Sequence, residues 1–550
     1  MSGRSAALGA ALALAALIAF SGCARSPEGA GSPPSGAAIL VRGGGPDPDS
    51  LDPQKVRGFE AQSIVRDLCE GLTTLDARAD VAPGVARDWS MSGDGLTYTF
   101  HLRPEARWSN GDRVEAADFV SALQRLVDPA TASAYAQFID VIVHASDIVA
   151  GKRAPAELGV AAPDSATVVI TLAAPTPYLP ALLSHPCTCP VNRPTLAHHP
   201  EGSARPGVGV SNGAFVLSEW VPGAYLLALR NRNYWNDAAT RLDGVRYLFI
   251  SDENAELARY RAGEIAITSV VPRAQFDWIK AHLGPELHVS PQLTTYYYGF
   301  NLRRAPFKDQ PGVRRALSLV IDRERLASQV LRVGELPAWG WVPPGVAHYR
   351  SQSFDYASEA LAARTAEAQR LYRVAGYSRA KPLRFELRYN SGEVHTALAI
   401  AIASMWKEAL GAEVELRQTE FKALLQDIDQ GDVEMFRSSW VGDYNDAYTF
   451  AQYLKSDFGI NLPHYHSPKY DALLARAGVE LDPGKREELL EQAERVMLAD
   501  HPLLPLYFYV NKHLVKPEVQ GWYDNVMNVV YSKDLGLRAV ANGPTVPSAH

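Results

Sequence analysis

Alternation of apolar and polar residues predicts β-strands in several short segments of the chain. These segments are 96–102, 168–172, 215–220, 225–230 and 245–250. Helical spacing appears between them: the segment 118–127 places Phe119, Ala122, Leu123 and Leu126 on one face. A helix over 253–262 leads directly into a strand over 264–268, which predicts a βαβ unit. The pattern therefore indicates an α/β fold.

The segment 383–445 carries the clearest order of elements. It predicts a strand over 383–389, a turn with helix-capping residues at 390–392, a helix over 393–410 that ends at Gly411, and a strand over 414–418. A helix from Phe421 to about 430 and a strand over 433–439 follow. This βαβαβ order predicts parallel strands joined by right-handed crossovers.

Chemically active side chains follow the ends of these strands. His395 lies just past the first strand, Trp440, Asp443 and Asn445 lie just past the third, and Arg437 is near the end of its strand. In open sheets of this kind, ligands bind beyond the carboxyl ends of the strands. We therefore expect these residues to converge at one edge of the sheet.

The charges of this group predict a zwitterionic ligand. Arg437 and His395 suit a carboxylate near a helix N-terminus, and Asp443 suits an ammonium group. An amino acid or a peptide carries both groups, and Trp440, Tyr297 and Tyr509 could form its apolar walls. The alternative is that Arg437 and Asp443 form a structural pair and that His395 is a surface residue.

The N-terminus has the pattern of an export signal. Arg4 precedes an apolar run over 6–20, and Ser21-Gly22-Cys23 follows. The run is too short for an ordinary transmembrane helix, so residues 1–22 are predicted to be a cleavable signal peptide. Cys23 fits the lipidated first residue of a lipoprotein, and the alternative is an ordinary cysteine after a plain signal. Residues 23–38, rich in Gly, Pro and Ser, are predicted to be a flexible linker, and residues 541–550 a loose tail.

Composition limits the remaining choices. The chain has 550 residues and a formal net charge of −7, which allows two to four domains and argues against nucleic-acid binding. No later apolar run is long enough to cross a membrane. Cys187-Thr188-Cys189 could form a local disulfide, remain two loop thiols, or bind a metal, although no second cysteine pair offers zinc-ligand spacing.

From about residue 39 to 534, the sequence resembles the peptide-binding (oligopeptide-binding) extracytoplasmic solute-binding proteins of ABC importers, family 5. The segments that carry the resemblance are Trp108-Ser109-Asn110-Gly111-Asp112 with 117–120 and 125–129, Ser211-Asn212-Gly213-Ala214-Phe215 with 230–235, Thr295-Tyr296-Tyr297-Tyr298, 437–445 and 505–511. The resemblance implies a two-lobed periplasmic-binding-protein fold with an additional domain and hinge closure around the ligand. Domain I would comprise 39–69, 194–293 and 512–540, domain II 70–193, and domain III 294–511.

The resemblance also implies roles for single residues. The peptide would lie between the lobes as an added strand, with its ammonium at Asp443 and its carboxylate at Arg437 and His395. Its backbone and side chains would contact Trp440, Ser439, Val441, Phe421, Tyr135, Tyr297, Tyr509 and Phe59. A cysteine pair that joins two strands of the family's third domain corresponds to Thr294 and Val441 in this chain.

The implied protein is a non-catalytic receptor, without cofactor or metal, that works as a monomer. It would deliver short peptides to an ABC permease whose ATPase is a separate subunit, because the chain has no phosphate-binding GxxxxGK[ST] motif. The same scaffold could instead be specialised for murein or signalling peptides. Two motifs suggest other classes: Ser211 in a G-x-S-x-G pattern would suit a serine hydrolase, and His464 with His466 could bind a metal.

Overall fold

The computed structural model describes residues 36–199 and 204–538. The predicted signal peptide, Cys23, most of the linker and the tail lie outside these residues. Within the described ranges, no helix is both long enough and apolar enough to cross a bilayer.

Strands and helices are interspersed along the described ranges. The strands are β1 (Ile39–Gly43), β2 (Thr73–Leu75), β3 (Val81–Pro83), β4 (Ala86–Met91), β5 (Thr97–Leu102), β6 (Val160–Asp164), β7 (Thr167–Thr171), β8 (Phe215–Val221), β9 (Tyr225–Arg230), β10 (Gly244–Leu248), β11 (Leu287–Phe300), β12 (Leu336–Pro337), β13 (Arg384–Asn390), β14 (Glu413–Thr419), β15 (Met435–Val441), β16 (Leu503–Leu514), β17 (Val519–Gln520) and β18 (Gly536–Leu537). The helices are α1 (Phe59–Leu68), α2 (Ala116–Val127), α3 (Ala145–Val149), α4 (Leu179–Leu182), α5 (Arg193–His198), α6 (Glu253–Arg261), α7 (Phe276–His282), α8 (Pro311–Leu319), α9 (Arg323–Arg325), α10 (Leu361–Val374), α11 (Glu393–Leu410), α12 (Phe421–Asp429), α13 (Tyr448–Ala451), α14 (Pro468–Val479) and α15 (Pro483–Asp500).

The first sheet has the strand order β1-β10-β9-β8 and contains three of the predicted strands. The predicted strand over 264–268 is wrong, because only Ile267 makes bridges there, one parallel to Arg42 and one antiparallel to Val515. The chain order is nevertheless that of a βαβ crossover. The chain passes from β10 through α6 to Ile267, which is parallel to β1, and β1 is itself parallel to β10. Pairing at a single residue is too brief to make a strand.

The second sheet, β4-β5-β7-β6, is antiparallel and packs against α2. The predicted apolar face of this helix is confirmed: Phe119, Ala122, Leu123 and Leu126 are fully buried. The helix begins at Ala116, two residues earlier than predicted, where Glu115 and Asp118 form a capping box.

The third sheet has the order β12-β16-β11-β15-β13-β14. The predicted parallel strands are confirmed, since β13 is parallel to both β14 and β15. Helix α11 spans the predicted residues and ends at Gly411, which has a φ of 76°. Strand β15 continues to Val441, so Trp440 lies inside this strand and not beyond it. Thr294 and Val441, which the resemblance aligns with a strand-joining cysteine pair, are directly opposite each other on β11 and β15.

Two long neighbouring strands cross the predicted limits of domain III. β11 continues without a break across the limit between residues 293 and 294, and β16 continues across the limit between residues 511 and 512. The register of this antiparallel pair shifts between Pro291 and Thr295. The two crossings between the predicted domains I and III thus lie side by side in one sheet.

The disulfide differs from the predicted local alternatives. Cys189 pairs with Cys69, which is 120 residues away in sequence, and Cys187 is a buried free thiol. The Cα atoms of Cys69 and Cys189 are 6.1 Å apart, because the C-terminal end of α1 packs beside the loop that contains residue 189. Cys187-Thr188-Cys189 is therefore neither a local bridge nor a pair of free thiols.

Candidate functional site

Arg437 is the centre of a polar cluster beside the C-terminal end of β13, in the third sheet. It lies in β15, where its side chain is only 8% exposed. Its Nη1 donates to Oδ1 of Asn390 at 2.9 Å, and its Nη2 donates to the hydroxyl of Tyr509 at 3.3 Å. Asn390 ends β13 and Tyr509 belongs to β16, so three strands of one sheet position the guanidinium group.

Tyr296 connects Arg437 to His395. The guanidinium carbon of Arg437 lies 4.6 Å from the centre of the Tyr296 ring. The Tyr296 hydroxyl lies 3.2 Å from Nδ1 of His395, and the two rings stack at 5.6 Å. Tyr297 was predicted as a site residue from the sequence, whereas Tyr296 was missed. The alternation of side chains along β11 was the available signal, because neighbouring residues face opposite sides of a sheet.

The cluster is suited to an anion. Among the described residues, no carboxylate pairs with Arg437, and its buried Nε has no hydrogen-bond partner. Burial, together with the positive charge of Arg437, lowers the pKa of His395 to about 4. A carboxylate placed between Arg437 and His395 would offset the positive charge of Arg437 and so raise the pKa of His395 again. It would also supply the negative charge that Arg437 lacks.

A glycine allows His395 to approach the cluster. Gly392 immediately precedes the first helical residue of α11 and has a φ of 155°. A Cβ atom at this position would lie 2.8 Å from Cδ2 of His395. The predicted side-chain cap in this turn is not formed, since Gly392 occupies the N-cap position. His395 therefore stands in the first turn of α11, where the helix dipole also favours an anion.

Asp443 lies two residues beyond β15 and carries the opposite charge. Its side chain is exposed, yet partial burial raises the pKa of its carboxyl to about 6. Its backbone N–H donates to Oγ1 of Thr449 at 3.2 Å, whereas its carboxylate has no ion-pair or hydrogen-bond partner in the described part of the chain. The alternative of a structural pair between Arg437 and Asp443 is therefore wrong.

The strand between these two charges has an open edge. β13 pairs with β15 only at Met435 and Phe436. Gly442 donates its backbone N–H to the carbonyl of Leu293 at 2.8 Å, and hydrogen-bonding direction alternates along an antiparallel pair. The backbone groups of Ser439 and Val441 consequently point away from β11, toward the side on which β13 no longer pairs.

Tyr135 lies in the segment that follows α2, with its ring 6.2 Å from that of Phe138, which packs against a cluster containing Tyr444, the neighbour of Asp443. Gln62 of α1 donates its Nε2 to the Tyr135 hydroxyl at 2.5 Å, and the ring of His185 lies 4.8 Å from the Tyr135 ring. Burial raises the pKa of the Tyr135 phenol, and the negative charge of Asp443 adds to this rise. The packing of Phe138 therefore places Tyr135 in the region of the molecule that contains Asp443.

The other predicted wall residues divide into exposed and buried positions. Phe59, Phe421 and Val441 are unusually exposed apolar residues, at 40%, 51% and 56%. Trp440 is half-buried, with its indole N–H bonded to the carbonyl of Thr449 at 2.8 Å.

Tyr297 is fully buried against Trp341, Phe436 and Tyr453, so its side chain is a core residue and does not line an open surface. Asn445 is also structural, since it donates to the carbonyl of Ala79 and accepts from the N–H of Ala347, each at 2.9 Å.

The motifs of other protein classes have structural roles. The hydroxyl of Ser211 is buried between the carbonyls of Leu68 and Phe215, either of which can accept its single proton, and strand β8, not a helix, follows it. This is not the strand–turn–helix geometry of a hydrolase elbow. His466 contacts Ser456 Oγ at 2.9 Å, and the described residues contain no cluster of three metal-binding side chains.

Opposite charges without ion-pair partners among the described residues, beside an open strand edge, are suited to holding a ligand that carries both charges. The family described as bacterial extracellular solute-binding proteins, family 5, matches residues 80–461, more than half of the chain. The chain belongs to this family, and its fold is the two-lobed α/β fold of these proteins.

Two curated relatives cover almost the whole chain. The periplasmic oligopeptide-binding protein OppA of Salmonella typhimurium is 39% identical, over 95% of this chain and 96% of its own. The probable deoxycholate-binding periplasmic protein YgiS of Escherichia coli is 41% identical, over 90% and 92%.

Two solved structures show how the lobes are arranged. The unliganded open form of the periplasmic murein tripeptide-binding protein MppA matches with a TM-score of 0.86 at 37% identity, over 92% of this chain and 99% of that one. Haemophilus influenzae OppA in complex with the peptide RPPGFSPFR matches with a TM-score of 0.71 at 36% identity, over 91% and 99%. The arrangement in this protein is thus more similar to an open form than to a peptide-bound one.

Proposed function

We propose that this protein captures short peptides with free termini between its two lobes and delivers them to an ABC permease. The observation that carries the proposal is the pair of unused charges, Asp443 and Arg437, at the two ends of one open strand edge. The peptide ammonium binds Asp443, and the carboxylate binds Arg437 and His395. The peptide therefore runs antiparallel to β15.

The open edge supports binding through the peptide backbone. Ser439 and Val441 offer N–H and carbonyl groups to a peptide of any sequence. The Cα atoms of Arg437 and Asp443 are at most about 20 Å apart, because a strand rises about 3.3 Å per residue. An extended peptide of up to about six residues covers this distance. Phe59, Phe421, Trp440, Tyr135 and Tyr509 then provide the cleft walls.

The ligand of one relative provides a contrast. YgiS is named for deoxycholate, which has a carboxylate but no ammonium group. An anionic steroid would leave the carboxylate of Asp443 uncompensated and would not use the backbone groups of Ser439 and Val441. Both features favour a peptide for this chain, and a single murein or signalling peptide is the specialised form of the same proposal.

The predicted cellular context completes the proposal. Residues 1–22 direct export, Cys23 receives the lipid anchor, and the linker over 23–38 allows the receptor to reach its permease. The ATPase is a separate subunit and the receptor acts as a monomer. The domain limits at residues 69, 193, 293 and 511 remain a prediction, which is supported by the separate first and second sheets and by the two strands that cross into the third.

Calorimetry with blocked peptides tests the assignment of Asp443. In the proposed complex the two lobes bury the ion pair between Asp443 and the peptide ammonium, and removing one partner of a buried pair costs about 3–5 kcal/mol. Asp443→Asn should therefore weaken a free tetrapeptide by this amount and hardly change the affinity of its N-acetylated form. Asp432→Asn, at an exposed position before β15, is the matched control. Equal losses for the free and acetylated peptides would refute the assignment.

A further inference from the structure

Tyr135 is held from two sides by elements that are distant in sequence. On one side, buried Gln62 of α1 donates to the Tyr135 hydroxyl at 2.5 Å. On the other side, the ring of His185 lies 4.8 Å from the ring of Tyr135 and 4.8 Å from that of Phe138. The position of the phenol thus depends on how α1 and the loop at residue 185 are placed relative to each other.

The disulfide joins these two supports covalently. Cys69 caps the C-terminal end of α1, about two turns after Gln62. Its partner Cys189 ends the short 3-10 turn that follows His185. The backbone, the disulfide and two side-chain contacts therefore connect five residues in a closed ring: Gln62, Cys69, Cys189, His185 and Tyr135.

Hydrogen bonds also hold the loop over residues 185–189 in place. Gln54 donates its Nε2 to the carbonyls of Cys187 and Cys189, at 3.1 and 3.0 Å. The N–H of Cys187 donates to Nδ1 of His185 at 3.2 Å, which fixes the imidazole within the turn. A displacement of residue 189 would therefore be transmitted to the His185 ring and from there to Tyr135.

We propose that the Cys69–Cys189 disulfide is a positioning element of the ligand site, which holds Tyr135 beside Phe138 and so near Tyr444, the neighbour of Asp443 at the proposed ammonium end of the cleft. This inference rests on the proposed peptide-binding function and adds a covalent determinant of affinity to it. The bridge then acts on ligand binding through Tyr135, in addition to any effect on stability.

A double-mutant cycle separates these two effects. The variant Cys69→Ser/Cys189→Ser should bind a free tetrapeptide about tenfold more weakly than the wild-type protein. In a Tyr135→Ala background, the same removal of the bridge should change the affinity less than twofold, because the side chain that it positions is absent. An unchanged affinity in the first comparison, or equal losses in both backgrounds, would overturn the proposal.

A spectroscopic measurement tests the positioning without any peptide. With 3-fluorotyrosine incorporated only at residue 135, removal of the bridge should shift or broaden the ¹⁹F resonance. An unchanged resonance would overturn the proposal. Since no ligand is present, this arm still decides the role of the bridge if the wild-type protein binds no peptide and the proposed function itself fails.

The same measurements can be made on folded protein if the double variant does not fold. A water-soluble phosphine reduces the bridge: the phosphine takes up the oxygen of one water molecule, and the disulfide becomes two thiols. The reduced protein should show the weaker binding and the altered ¹⁹F resonance. Retention of both wild-type values after mass spectrometry has verified reduction would contradict the role assigned to the bridge.

Discussion

Asp443 and Arg437 contribute little to the stability of the ligand-free protein, because neither forms an ion pair among the described residues. Partial burial of a charge without a partner costs free energy, and this cost raises the pKa of Asp443 to about 6. Arg437 directs its donors at Asn390 and the Tyr509 hydroxyl, neither of which is charged. A ligand that supplies both missing charges recovers this cost, which explains why the proposed ligand must have two free termini.

The raised pKa of Asp443 predicts that peptide binding at the proposed site depends on pH. The ammonium group binds the ionised carboxylate, so affinity should fall as the pH drops through about 6. Between pH 7 and pH 5, where the peptide amine stays largely protonated, we expect a loss of about tenfold for a C-amidated peptide, which avoids the opposite titration of His395. Calorimetry at each pH measures the slope, which should be absent in Asp443→Asn; a slope that persists there would exclude Asp443 as its origin.

The stability of the empty protein should have the opposite dependence. The carboxyl of Asp443 has a higher pKa in the folded protein than the value of 3.8 expected for the unfolded chain. The folded state therefore binds this proton more tightly. The contribution of Asp443 to the free energy of unfolding is fully present below pH 3.8 and is lost as the pH rises through about 6.

Replacement of Arg437 by lysine tests the carboxylate end. Lysine keeps the positive charge but loses the planar fork and the stacking on Tyr296. We expect Arg437→Lys to weaken a peptide with a free carboxylate by about 1–2 kcal/mol and to leave its C-terminal amide nearly unchanged. Calorimetry of both peptides gives the comparison, and equal losses would contradict a carboxylate site at Arg437.

At the scale of elements, the edge of β15 is the feature on which the binding mode depends. Val441→Pro removes a backbone N–H that points away from β11, so the sheet should keep its hydrogen bonds with that strand. We expect about 0.5–1.5 kcal/mol weaker binding for every peptide, with free or blocked ends. Val441→Ala is the matched control, because it keeps the N–H. Unchanged affinity in Val441→Pro would exclude a backbone hydrogen bond at this position.

The sequence was informative where local patterns dominate. Helix α11 and strand β9 have the predicted bounds, because strong periodicity and, at Gly411, a C-terminal glycine mark them. Residues 264–268 were misassigned because an alternating pattern does not reveal whether a partner strand is available along its full length. Trp440 was placed outside its strand for a related reason: β15 continues as long as β11 supports it, and this is a property of the sheet.

The proximity of candidate site residues could be predicted from the sequence where chain topology determines it. The parallel order of β13, β14 and β15 brings His395 and Arg437 together, and this was visible in the sequence. The role of Tyr296 instead depends on which face of β11 turns toward Arg437. The partner of Cys189 depends on contact between segments 120 residues apart, which spacing alone does not predict.

At the scale of the molecule, the proposed ammonium site lies beside a contact between the second and third sheet regions. Tyr178, just before α4, stacks on Tyr444 with ring centres 5.0 Å apart, and Asn445 bonds to the carbonyl of Ala79. Asp443 immediately precedes both residues. A peptide that binds Asp443 therefore acts next to a joint between the predicted lobes, and β11 with β16 connects them on the other side.

The identity of bound ligand tests the central claim most directly. Native mass spectrometry of the protein purified from cells, without residues 1–23, would reveal bound mass, and denaturation would release the ligand for identification. We predict several short peptides, each with a free ammonium and a free carboxylate. An empty protein, a steroid acid, a metal or another non-peptide ligand would contradict the account.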